Sequence, residues 1–323
     1  MRTRGPLLLL NAAPLLLLLA VGLVFGVLSP RFLDPQNLGN IVVQSSSTAI
    51  VAIGMTFVLL TAGVDLSVGA IMFVAAAVAG KLAAAGAALP VTLAAMLAVG
   101  AGAGALNALC VTRLAIVPFI ATLALMYAGR GFALWLTETR SLPLPPGFLA
   151  FGSDRIAGIP IPILLLAAIA LAAHLALAAT PFGRQVYAVG QSRDAAKKAG
   201  VATGRILAAV YIVCGLCAAA GAIVSASQLG VVSATFGMNK EFTAIAAAVL
   251  GGTSLFGGRG RVLPGTILGA VLMQTIENGL VLLNANPYLY PLFTAAIIFL
   301  AVALDSLRNG LLAKLTRRTI RPA

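Results

Sequence analysis

Acidic and chemically reactive side chains are scarce in this chain of 323 residues. It has 8 Asp and Glu against 21 Lys and Arg, with one His, three Cys and one Trp. His174 lies in an alanine and leucine run and cannot anchor a metal site alone. Cys110 ends an apolar segment. Cys214 and Cys217 share a helical face, but no neighbouring His, Lys or acidic residue would activate them, so a packing role is expected. There is no G-x-S-x-G elbow, no H-E-x-x-H helix and no G-x-x-x-x-G-K-[ST] phosphate loop. The chain is therefore expected to be non-catalytic, with no cofactor and no metal.

Charged residues are 9% of the total and hydrophobic ones 61%, against roughly 25% and 45–50% in soluble domains. A water-soluble core cannot absorb that much apolar surface. The net charge of +13 does not point to nucleic acid, because the basic residues form no stripe with interleaved aromatics. They fall in short runs between apolar segments, as membrane orientation requires. The expected fold class is all-α: a polytopic transmembrane helical bundle in a bacterial inner membrane.

A crossing takes about 20 apolar residues. By that measure there are about ten candidate spans, at 7–28, 41–61, 67–86, 89–112, 117–136, 159–179, 206–229, 241–257, 262–283 and 290–307. The first is too long for a cleaved signal and lacks a cleavage site, so it reads as a retained helix. Placing both termini in the cytoplasm puts most Lys and Arg inside. Residues 1–323 then form one membrane domain, with a cytoplasmic loop at 181–205 and a basic cytoplasmic tail at 308–323 that lies against anionic headgroups. The outer loop, 137–158, carries Pro143, Pro145 and Pro146, which predict a rigid, extended connection.

Four stretches hold polar or glycine-rich patterns. In GMTFVLLTAGVDLSVGAIM, Asp65 lies between Gly63 and Gly69 with Ser67 two residues on. A carboxylate at the bilayer centre costs about 2.5–3.5 kcal/mol on insertion scales, so the order predicts a broken helix restarting with Asp65 or Ser67 as its N-cap. Within 181–205, Ser192 can cap a short helix through Arg193, Asp194, Ala195, Ala196, Lys197 and Ala199, which Gly200 ends. Ala195, Ala196 and Ala199 give it a small, smooth face able to seat in a groove on another protein. Gly251, Gly252, Gly257, Gly258 and Gly260 predict a tight structural turn, held at the cytoplasmic face by Arg259 and Arg261. Gln274, Glu277 and Asn278 share a helical face that either lines a wet pathway or bonds a neighbouring helix. Asn107 is a helix tie or a solute contact. Gly100 and Gly104 form a G-x-x-x-G packing motif.

Together, GMTFVLLTAGVDLSVGAI, LNALCVTRLAIVPFIATLALMYAGRG, VYAVGQSRDAAKKAGV, FTAIAAAVLGGTSLFGGRGRVLPGTILGAVLM and ENGLVLLN resemble the permease subunits of ABC-type monosaccharide importers, the ribose, xylose and galactose permease family. The likeness runs in order from about residue 38 to 305. Ala108, where the family often has Gly, and Cys110 depart from it. The resemblance implies a subunit that hydrolyses no ATP. It implies a second permease subunit, identical or not, a cytoplasmic ABC ATPase and a periplasmic or surface solute-binding protein. It also makes Asp194 to Val201 the segment coupled to the ATPase, and places Asp65, Ser67, Asn107 and Asn278 near the central pathway. A branched-chain amino acid or nucleoside permease of the same superfamily is the close alternative, and an ion-coupled secondary transporter the distant one.

Overall fold

The computed structural model describes residues 4–300 together with 302, 303 and 306, with side chains from residue 13 onward. The basic tail at 308–323 lies outside the described residues, as does the end of the last candidate span. The helices are α1 (Arg4–Leu28), α2 (Pro35–Leu60), α3 (Val68–Ala84), α4 (Leu89–Thr112), α5 (Pro118–Thr137), α6 (Pro146–Ser153), α7 (Ile161–Ala179), α8 (Pro181–Gln191), α9 (Arg193–Lys198), α10 (Thr203–Leu229), α11 (Lys240–Leu250), α12 (Ile267–Leu282) and α13 (Pro287–Leu300). Six stretches are long and apolar enough to cross a bilayer: α2, α4, α5, α7, α10 and Val262–Leu282. The chain is a helical, multi-pass membrane protein.

Two helices form the centre. The apolar windows of α2 and α10 are 83% and 72% buried, against 22% for α4 and 17% for α5. Small residues make this possible, since apolar helices in lipid associate by close packing rather than by escape from water. Gly100 and Gly104 of α4 face α10. A side chain on Gly100 would strike the Gly215 carbonyl, and one on Gly104 the Tyr211 carbonyl.

The candidate span 241–257 requires correction. Here α11 has 11 residues, about 16 Å at 1.5 Å per residue, half the hydrocarbon thickness of roughly 30 Å. Composition suggested a longer helix, but Gly252 at φ 92° ends it. Gly257, Gly258 and Gly260 also take positive φ, as the structural turn required. Gly251 keeps helical angles; its lack of a side chain lets the Gly265 carbonyl approach. The loop at 137–158 also differs from expectation. Rather than being extended throughout, it contains α6, started by Pro145 and Pro146 at the N-cap and first turn. Strands β1 (Leu142–Pro143), β2 (Arg155–Ile156), β3 (Ile159–Pro160) and β4 (Val231–Val232) pair β1 with β4 and β2 with β3, both antiparallel.

The centre also carries an inverted internal repeat. GVDLSVGAI at 63–71 leads into α3, and GMNKEFTAI at 237–245 leads into α11. The shift that takes Asp65 to Asn239 also takes Ser47 to Gly221, Val43 to Cys217 and Gly54 to Gln228. The helices run antiparallel: Ser47 Oγ donates to the Gly221 carbonyl (2.8 Å), Gln228 Nε2 donates to the Val43 carbonyl (3.2 Å), and Gly54 packs on Cys217. Under the shift the first contact maps onto itself, and the second maps onto the third. The segments α2–α4 and α10–α12 are thus related by a pseudo-twofold axis near Ser47 and Gly221.

Candidate translocation and coupling site

The break between α2 and α3 is built around Asp65. Its Oδ1 accepts from the Ser67 backbone N–H (2.9 Å) and hydroxyl (2.5 Å). From α4, Asn107 Nδ2 donates to Ser67 Oγ at 2.8 Å and lies 3.3 Å from Asp65 Oδ1. Ser67 occupies the N-cap position of α3, but its hydroxyl serves Asp65 instead of a helix amide. Exposures of 0%, 0% and 1% for Asp65, Ser67 and Asn107 place the triad inside the chain, knotting the break to α4. The Asn107 Oδ1 and Tyr211 hydroxyl beside it have no hydrogen-bond partner.

At the opposite end of α2, two pairs of carboxamides join α2 to α12. Asn37 and Asn278 exchange hydrogen bonds at 3.0 and 2.9 Å, and Gln274 Nε2 donates to Gln44 Oε1 at 3.2 Å. Asn278 and Gln274 therefore bond a neighbouring helix, while Glu277 between them is exposed. Asn37 and Gln44 were not anticipated from sequence, although a seven-residue separation on one helix, facing a pair four apart on another, is a readable signal.

The segment from Ser192 to Gly200 folds as its sequence predicts. Ser192 Oγ accepts from the Ala195 N–H (3.2 Å) and Gly200 follows at φ 84°. One residue of the expected face points the other way: Ala196 is buried at 5% exposure, whereas Ala195 and Ala199 are exposed with Arg193, Asp194 and Lys197. Three segments meet behind it. The Gly258 N–H donates to the Leu60 carbonyl (2.9 Å), Gln191 Nε2 to the Gly258 carbonyl (3.1 Å), and Arg193 to the Thr61 carbonyl (3.4 Å). The end of α2, the glycine turn and the start of α9 are thereby a single node. Tyr187, on α8, donates to the Gly260 carbonyl at 2.9 Å. Burial raises its phenol pKa, with the Arg261 guanidinium opposing the shift, so it stays a neutral donor.

A groove of about 650 Å³ runs between α11 and α13, with Asn239, Phe242, Thr243, Tyr290, Thr294 and Phe299 among its lining. None of the residues lining it is charged. Glu241, one residue from Lys240 at the start of α11, is buried, with Oε2 lacking a partner beside Gly69. Arg130 lies over the Phe73 ring, 5.7 Å from its centroid.

Buried polar knots, a short capped helix and a half-length helix thus interrupt an otherwise apolar bundle. The family model for the branched-chain amino acid transport system / permease component matches residues 37–302, and the chain belongs to this family. It is 38% identical over 305 residues to the ribose import permease protein of Escherichia coli (strain K12), covering 92% of this chain and 94% of the relative. It is 37% identical to the ribose import permease protein of Bacillus subtilis (strain 168), over 92% of this chain and 93% of the relative. To the D-allose transport system permease protein of Escherichia coli (strain K12) the identity is 36%, over 88% of each. No solved structure matches this chain.

Proposed function

We propose that this chain is the permease subunit of a bacterial inner-membrane ATP-binding-cassette importer for a monosaccharide or related polyol. The observation that carries the reading is the node at Leu60, Gly258, Gln191 and Arg193. A small capped helix presents Ala195 and Ala199 outward and grips, from behind, both the end of the central helix and the glycine turn. A force on α9 therefore reaches two breaks in the bundle at once. The sugar assignment draws support from the ribose and D-allose permeases named above.

In this reading residues 1–323 form one transmembrane domain, counting about ten crossings and part-crossings, with both termini, the 181–205 loop and the 308–323 tail in the cytoplasm. A second copy or a related permease completes the pathway. A solute-binding protein delivers the sugar at the end carrying Asn37 and Asn278, and a cytoplasmic ATPase docks on α9. This chain itself hydrolyses nothing. Glu277 and Asn278 line the receiving end, and Asp65, Ser67 and Asn107 brace the pathway from behind at the break. The uncharged groove between α11 and α13 suits a neutral solute: aromatic faces pack sugar C–H groups while amides and hydroxyls bond its oxygens. An amino acid would bring two charges and leave them without counter-charges there.

The test is uptake into vesicles holding the permease, its ATPase and its binding protein. ATP-dependent entry of labelled pentose or hexose is expected, and none from an imposed ion gradient alone. Accumulation of sugar by this chain alone, or ATP-driven uptake of leucine in preference to every sugar, overturns the assignment.

A further inference from the structure

A cavity of about 360 Å³ opens beside the glycine turn, lined by Tyr187, Arg259, Arg261 and Pro264 together with Pro14 of α1 and Leu268 of α12. Its floor is largely glycine backbone, from Gly251, Gly252, Gly258, Gly260 and Gly265. Neither arginine forms an ion pair among the described residues, where the only salt bridges join Lys81 and Arg140 to Glu138. Two arginines thus line a space with no carboxylate in its lining. Each presents a planar fork of donors suited to phosphate oxygens.

The other walls identify the occupant. Pro14 belongs to a helix whose next residues, Leu15, Leu16, Leu17 and Leu19, are 45%, 49%, 39% and 61% exposed. A row of open leucines on a membrane helix faces lipid tails. Leu268 of α12 and Pro264 just before it continue the apolar wall. The cavity is therefore cationic on the side of α8 and the glycine turn, and oily on the side of α1. A soluble anion would use only the first half. A phospholipid uses both, and basic pockets between membrane helices are a known setting for anionic headgroups.

We propose that this cavity is a binding site for an anionic phospholipid, its phosphate held by Arg259 and Arg261 and its glycerol and upper acyl chain lying against Pro14 and Leu268. Because Tyr187 bonds Gly260 and Gln191 bonds Gly258, the lipid braces the turn that contacts the end of α2. Lipid composition would thus tune how firmly the coupling node is held.

The test is native mass spectrometry of the full-length chain in detergent, titrated with phosphatidylglycerol or phosphatidylcholine of identical acyl chains. The wild-type chain is expected to retain phosphatidylglycerol at roughly tenfold lower concentration than phosphatidylcholine. Arg259→Gln with Arg261→Gln should abolish that preference, and Arg113→Gln, which removes a cation outside the cavity, should preserve it. Phosphatidylglycerol with a photoreactive acyl chain should label the segments holding Pro14 or Leu268. Equal retention of the two lipids by the wild-type chain overturns the proposal without recourse to any variant. So does an undiminished preference in the double variant, or an equal loss in Arg113→Gln. Displacement by millimolar inorganic phosphate or glycerol phosphate would assign the arginines to a soluble anion instead. Loss of ATPase association with lipid retention unchanged would make this a protein-docking face.

Discussion

The side-chain amides of Asn37 and Asn278 bond each other twice, at 3.0 and 2.9 Å, across 241 positions of sequence. Each satisfies the other, so neither helix exposes a lone amide. The Gln44 and Gln274 pair lies nearby along the same two helices. Together they form a polar seam between α2 and α12 at the N-terminal end of α2.

Removing one member of the seam should cost more than removing both. Asn278→Leu strands the Asn37 Oδ1, while Nδ2 keeps its bond to the Phe32 carbonyl, an effect on the order of 1–3 kcal/mol. The double replacement by Leu leaves no orphan and should recover part of that loss. Thermal unfolding of the four proteins in detergent gives the coupling energy. Strict additivity would show that the two amides do not depend on one another.

The Asp65 knot makes a graded series. Asp65→Ala deprives the Ser67 N–H and the Ser67 hydroxyl of their acceptor, and should lower stability by at least about 1–3 kcal/mol, as stranding a buried polar group does. Asp65→Asn keeps one carbonyl oxygen and should be milder. Folded yield and thermal midpoint after membrane extraction report the order. A harmless Ala variant would mean that the break is held from elsewhere.

Packing of α4 on α10 should tolerate no enlargement at the contact. Gly215 faces the Gly100 carbonyl and Gly104 backbone, with no space for a methyl group. Gly215→Val is expected to destabilise by at least about 1–3 kcal/mol, as overpacking does. Gly102 has open space where its side chain would stand. Gly102→Ala, on α4, should be neutral, or stabilise by up to about 1 kcal/mol. Size-exclusion profiles and melting curves separate the two cases.

The proposed coupling role of α9 can be challenged where the helix faces outward. Ala195→Trp or Ala199→Trp should leave membrane insertion and stability near wild type while separating ATP hydrolysis from uptake. Ala196→Trp should damage folding, because that side chain is buried against the body. Ser192→Ala removes the cap bond to the Ala195 N–H and should cost about 1 kcal/mol, with coupling weakened in proportion. Normal ATP-driven uptake in both outward Trp variants would remove α9 from the docking surface.

Local rules carried the sequence reading furthest. The cap at Ser192, the stop at Gly200 and the break around Asp65 depend on neighbours a few residues apart, and each lies where its chemistry requires. The short length of α11 was less accessible. Hydropathy sums apolar residues and does not reveal that Gly252 turns the chain after Leu250. The direction of Ala196 depends on helices distant in sequence, as does the partnership of Asn37 with Asn278. The inverted repeat keeps only Gly, Ala and Ile in common between GVDLSVGAI and GMNKEFTAI, so three-dimensional contacts were needed to expose it.

An upside-down duplication is a palindrome, and a palindrome has no forward and no reverse. Here the symmetry fails in length: α4 has 24 residues against 16 in α12, and α3 has 17 whereas α11 has 11 and gives way to the glycine turn. That shortfall falls beside α8 and α9, at the end gripped by Gln191 and Arg193. The scaffold acquires its sense of direction from the places where its two halves differ.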